Sequence, residues 1–133
     1  MNTQHPEGQR HFSRVPFHAP VHLYLKHQTL DVELLDIALK GALVKTTDPS
    51  IVALQDECRL VLCLAHDGMD IEMHGRVVHL EGHNVGVACQ YMDVSSLTCL
   101  RRLLELNIGD ADLMDRELSL LFAKRDVSAG IYI

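Results

Sequence analysis

Phe17-His18-Ala19-Pro20-Val21-His22-Leu23-Tyr24-Leu25-Lys26 sets Phe17, Ala19, Val21, Leu23 and Leu25 at every second position, with His18, His22 and Lys26 between them. Successive side chains of an extended chain point to opposite faces, so this period of two predicts a strand with one face buried and one face wet. Leu30, Val32 and Leu34 repeat the pattern, and Gln28 with Thr29 is the expected hairpin turn. Ala42 to Thr46 reads as a third strand that follows Gly41 and stops at Asp48-Pro49-Ser50.

The same reading extends downstream. Cys58 to Ala65 is apolar on both parities, as in a strand covered on both faces. His66-Asp67-Gly68 supplies a turn, Ile71, Met73, Gly75, Val77 and His79 alternate with Glu72, His74, Arg76 and Val78, and Glu81-Gly82-His83-Asn84 leads into Val85, Val87, Cys89 and Tyr91. Six strands read as a meander joined by short turns. Closing them into an antiparallel barrel removes the exposed sheet edges.

After Tyr91 the period changes. Asp93 or Ser95 can cap a helix with Leu97, Leu100, Leu104 and Ile108 on one stripe, which Gly109 ends. Asp110 can cap a second helix carrying Leu113, Met114, Glu117, Leu118, Leu121 and Phe122. The fold class is therefore mainly β with C-terminal helices: a six-stranded antiparallel barrel packed by one or two α-helices. Residues 1–9, polar and carrying Pro6 and Gly8, read as a mobile arm, residues 10–124 as the domain, and residues 125–133 as a frayed tail.

At 133 residues, 47% apolar and 23% charged, the composition is that of one globular domain able to bury a core without metal or disulfide staples. No apolar run approaches the length of a bilayer span, and the first residues lack a signal peptide's apolar segment, which predicts a cytoplasmic protein without membrane insertion. A formal net charge of −6 argues against nucleic acid as a partner. Cys58, Cys63, Cys89 and Cys99 have no C-x-x-C spacing and read as buried thiols without disulfides; nine histidines, among them His18 and His22 on one strand face, do not converge in sequence on a metal site. Neither a nucleophile elbow, a P-loop nor an H-E-x-x-H segment is present, so no enzyme is expected.

Chemistry gathers instead at Arg10-His11-Phe12-Ser13-Arg14 and Asp36-Ile37-Ala38-Leu39-Lys40-Gly41. Each arginine is a planar fork of donors that fits phosphate oxygens, or O6 and N7 of guanine, in bidentate fashion. An ionised Asp36 only accepts, which suits the N1 and N2 protons of a guanine edge. Gly41 can take backbone angles closed to other residues and let a ligand approach the main chain.

These two stretches resemble the Arg-x-x-x-Arg and Asp/Asn-x-Ser-x-x-Gly motifs of the PilZ domain family, whose members are receptors for the second messenger cyclic di-GMP. The resemblance runs from about Gln9 to at least Met92, and the helical tail looks like that of small single-domain members. It implies a bacterial second-messenger signalling role: cyclic di-GMP held by Arg10, Arg14, Asp36, Ala38 and Gly41, a protein partner reached through a conformational change, no cofactor, and a monomer or weak dimer. The stretch through Arg14 would order only when nucleotide binds. Ala38 stands where the family has serine, and Gln9 where several relatives have a further arginine. His79 lies near where relatives can stack an aromatic residue on guanine. The alternative is a degenerate adaptor that acts through protein contacts without nucleotide.

Overall fold

A computed structural model describes residues 12–64, 69–122 and 130–132. Alternation becomes seven strands: β1 (Arg14–Tyr24), β2 (Thr29–Ala38), β3 (Gly41–Lys45), β4 (Glu57–Leu64), β5 (Met69–Glu81), β6 (Asn84–Asp93) and β7 (Gly130–Tyr132). Two helices, α1 (Val94–Ile108) and α2 (Ala111–Phe122), follow β6. The spatial order is β3-β2-β1-β4-β5-β6-β7, and a β3–β6 ladder from Gly41↔Ala88 to Lys45↔Asn84 closes the first six strands into an antiparallel barrel.

The barrel is not one meander. Two three-stranded meanders, β1-β2-β3 and β4-β5-β6, meet through β1–β4 and β3–β6. The cause is the link over residues 46–56, which is no hairpin: Asp48 caps a 3₁₀ turn at Pro49–Ile51, and Gln55 donates its N–H to the Val77 carbonyl at 2.7 Å. Val77 N–H bonds back to the Asp56 carbonyl at 2.9 Å. The link thus runs beside β5 and delivers β4 next to β1. The β1–β2 turn falls slightly earlier than expected, over Leu25–Gln28, with Leu25 N–H bonded to the Gln28 carbonyl at 2.8 Å.

Residues of inward parity fill the interior, with Leu23, Leu34, Ile37, Val44, Ile71, Met73 and Val77 all essentially sealed from solvent. Asp93 caps α1 by accepting from Ser96 N–H at 2.7 Å, and Gly109 ends it in the left-handed conformation at φ 77°. Asp110 accepts from Leu113 N–H at 3.0 Å at the start of α2. Leu97, Leu100, Leu103 and Leu104 seat α1 over the sheet, while α2 buries Met114, Glu117 and Leu121.

Of the tail expected to fray over residues 125–133, residues 125–129 and 133 lie outside the described residues. Gly130–Tyr132 pairs antiparallel with β6, from Tyr91↔Tyr132 to Asp93↔Gly130. Beyond Ala88 the edge of β6 that pairs with β3 has no further β3 partner, and a returning strand satisfies its backbone groups there. All four cysteines are free, but only Cys58 and Cys89 are buried; Cys63 is exposed, against the reading of buried thiols, because it falls on the outward parity of β4.

Candidate functional site

Strand register brings the motif residues onto one outer wall of the barrel. Arg14↔Ala38, Ala38↔Gly41, Gly41↔Ala88 and Arg76↔Ala88 are Cα partners, so these residues form one row across β1, β2, β3, β6 and β5. The adjacent row runs Pro16, Asp36, Leu43, Gly86 and His79 over the same strands. Strands lie about 4.8 Å apart, which puts Asp36 and His79 roughly 14 Å apart along the curved wall.

Asp36 reaches that wall through a register shift between Leu34 and Asp36 on β2, which lets two acidic-to-apolar parities coexist in one strand. Its Oδ1 accepts from Nη1 of Arg14 at 2.5 Å. About half of the Arg14 side chain and a fifth of the Asp36 side chain remain accessible. The pair is oriented but open. Beside it, the floor consists of small residues: Ala38 and Gly41 are buried, and Gly86 and Ala88 are partly exposed. Arg76 and His79 stand at the far end. Arg76 donates to the Gln55 carbonyl at 3.0 Å and to Glu57 at 3.1 Å, and His79 Nε2 lies 3.3 Å from Glu81 Oε1.

Gly41 has a different structural basis from the one expected. It is the first residue of β3, not the bend itself, and its φ is not positive; the turn residues are Leu39 and Lys40. A Cβ on Gly41 would lie 2.3 Å from the Val87 carbonyl oxygen of β6. Barrel closure therefore forbids a side chain here. Gly86 serves the opposite pairing, since a Cβ there would lie 2.8 Å from His79 Cβ. Ala38 is only 3% exposed, so its methyl is packed.

Gln9 and Arg10 lie outside the described residues. The segment just after them is held by the fold: Phe12 packs against the core with Lys40 Nζ 5.2 Å from its ring centroid, Ser13 bonds to Glu117, and Arg14 begins β1. Sheet pairing and apolar contact place residues 12–14 in the fold, while residues 1–11 of the stretch expected to order with nucleotide lie outside the described residues. Sequence reading missed Arg76 and the small residues Gly86 and Ala88. Their signal is the β3–β6 ladder, which a meander does not contain.

Among the described residues no group of three or more His, Cys, Asp or Glu side chains could hold a metal ion, and no helix is long and apolar enough to cross a membrane. His18 and His22 each face a carboxylate on β2, Glu33 at 3.4 Å and Asp31 at 2.7 Å. His83 Nδ1 lies 2.9 Å from the Thr46 carbonyl and ties the β5–β6 turn to the end of β3.

The fold is similar to that in the crystal structure of the PilZ domain of CeSA from a cellulose-synthesizing bacterium, with a TM-score of 0.56 at 16% identity, covering 73% of this chain and 96% of that one. An uncharacterized Legionella protein aligns with a TM-score of 0.47 at 16% identity, covering 73% and 95%. The family model described as PilZ domain matches residues 8–106, a span that contains both arginines, the Asp36 to Gly41 stretch, the whole barrel and most of α1. The chain belongs to the PilZ domain family.

Proposed function

We propose that this PilZ domain is a cytoplasmic cyclic di-GMP receptor that carries out no chemistry and passes nucleotide occupancy to a protein partner. PilZ domains are a family of cyclic di-GMP receptors, acting as receptors and adaptors rather than enzymes. The observation that carries the reading is the open Arg14–Asp36 pair at the edge of a small-residue floor. A guanidinium held by a carboxylate is preoriented, yet a half-exposed pair is worth only about 0–1 kcal/mol. It yields readily to a phosphodiester or a guanine edge.

The ligand carries two negative charges and the chain a net −6, so attraction must be local. Arg14 supplies one fork and Arg10 a second, Asp36 accepts from guanine N1 and N2, and His79 offers an imidazole face across the floor. Calorimetric titration with cyclic di-GMP of the wild type and Arg14→Ala is the deciding experiment. Saturable binding lost in Arg14→Ala supports the receptor. Equal affinity in both removes Arg14 from the site, and no heat in folded wild type leaves the nucleotide-independent adaptor, a reading favoured by Ala38 in place of the family's serine.

A further inference from the structure

Glu117 is a carboxylate on the buried face of α2, flanked along the helix by Met114 and Leu121, and it is only 3% exposed. Among the described residues it accepts three hydrogen bonds, all from Ser13: the backbone N–H reaches Oε1 at 3.0 Å and Oε2 at 2.9 Å, and the hydroxyl reaches Oε2 at 2.5 Å. Ser13 immediately precedes Arg14. A carboxylate on the last helix thus grips the chain one residue before the arginine that pairs with Asp36.

Burying a carboxylate is costly unless hydrogen bonds replace its water, and removing those bonds leaves an uncompensated charge. Departure of the arginine segment therefore removes the partners of this carboxylate, and either water entering where Ser13 stood or a shift of α2 must replace them. Two elements far apart in sequence share one equilibrium.

We infer that Glu117 is a positioning residue for nucleotide binding, and that through Ser13 it couples occupancy of the Arg14 site to docking of α2. The inference rests on the receptor reading above and adds the element that responds. Fixing Ser13 removes backbone freedom that a ligand would otherwise have to freeze at Arg14, which is preorganisation. Coupling is reciprocal, so a ligand that holds Arg14 also holds Ser13 and stabilises the docked helix.

The test combines calorimetry with cyclic di-GMP and amide hydrogen exchange of α2, in the full chain. Wild type should show slower exchange across α2 when nucleotide is bound. Glu117→Ala should bind about tenfold more weakly and lose that slowing. Glu117→Gln keeps one carbonyl acceptor for Ser13 and should recover most of the affinity, while Ser13→Ala, which keeps the backbone donor and leaves α2 untouched, should lose roughly threefold. A nucleotide-free readout accompanies these: tryptic cleavage after Arg14 should be at least severalfold faster in Glu117→Ala than in Glu117→Gln.

Wild type that binds, with Glu117→Ala and Ser13→Ala within twofold of it and α2 exchange unchanged by nucleotide, overturns the coupling and leaves the receptor standing. Wild type that does not bind overturns both. If Glu117→Ala does not fold, Ser13→Ala together with Glu117→Gln decides, and unchanged affinity and exchange in both ends the inference.

Discussion

Arg14 and Asp36, on neighbouring strands, meet at 2.5 Å while about half of the arginine side chain stays open to solvent. The two groups proposed to read the nucleotide thus hold one another. Because an exposed pair contributes only about 0–1 kcal/mol, Arg14→Ala should shift the unfolding midpoint little yet reduce cyclic di-GMP binding by about a hundredfold or more, as two charged bonds are lost. Arg14→Lys keeps the charge but not the fork and should cost about tenfold. Thermal unfolding and calorimetry on the same samples separate the two effects.

Ala38 is the position at which the motif is broken. Ala38→Ser places a hydroxyl opposite Arg14, and one net hydrogen bond of about 1 kcal/mol should tighten binding roughly fivefold. The methyl is buried, so the added hydroxyl should not raise the stability of the free protein. Affinity that rises while the denaturation midpoint holds or falls is the expected pattern; unchanged affinity would separate Ala38 from the ligand.

Gly41→Ala should damage the fold before it damages the ligand site. The new Cβ would sit 2.3 Å from a backbone oxygen of β6, which cannot rotate away, so the closing ladder must spread. Overpacking of this kind costs about 1–3 kcal/mol. Urea denaturation should show a loss near the top of that range.

The cysteines give a pH-dependent test. Burial, helped by the charge of Asp56, pushes the Cys58 thiol up to about 12, and burial likewise pushes Cys89 up to about 12. At pH 8 both should resist a thiol reagent until the protein unfolds, while exposed Cys63 reacts in the folded protein, more slowly than a free thiol because desolvation and the neighbouring Asp70 raise its pKa. An unfolded thiol ionises from about pH 9.0, whereas these two stay neutral to about 12. Their contribution to stability is thus complete below pH 9 and is lost as pH rises toward 12. Reagent kinetics at pH 8 and denaturation from pH 8 to 11 check both statements.

Period-two alternation was enough to locate the six barrel strands, and the capping residues Asp93, Gly109 and Asp110 marked where the helices begin and end. Connectivity was less legible. Nothing local in residues 46–56 says that the chain crosses over to set β4 beside β1, because that depends on Gln55 and Asp56 bonding to Val77. The short strand at Gly130–Tyr132 was hidden for a similar reason: its partner is β6, and three residues are too few to show a period. At the site, Arg14 and Asp36 could be named from residue type and spacing, but Arg76, Gly86 and Ala88 enter only through the β3–β6 ladder. Glu117 stood on the apolar stripe of α2 without its partner, since Ser13 lies at the other end of the chain.

The close approach of Gly41 to Val87 separates two kinds of information that a motif runs together. The glycine answers to the seam where the first and second halves of the barrel are joined, whereas Arg14 and Asp36 answer to whatever lies outside the wall. Selection for a sound barrel would keep glycine here in a descendant that had given up its ligand and both arginines. Presence of that glycine is a record of architecture; under the proposed receptor function, Arg14 and Asp36 carry the record of recognition.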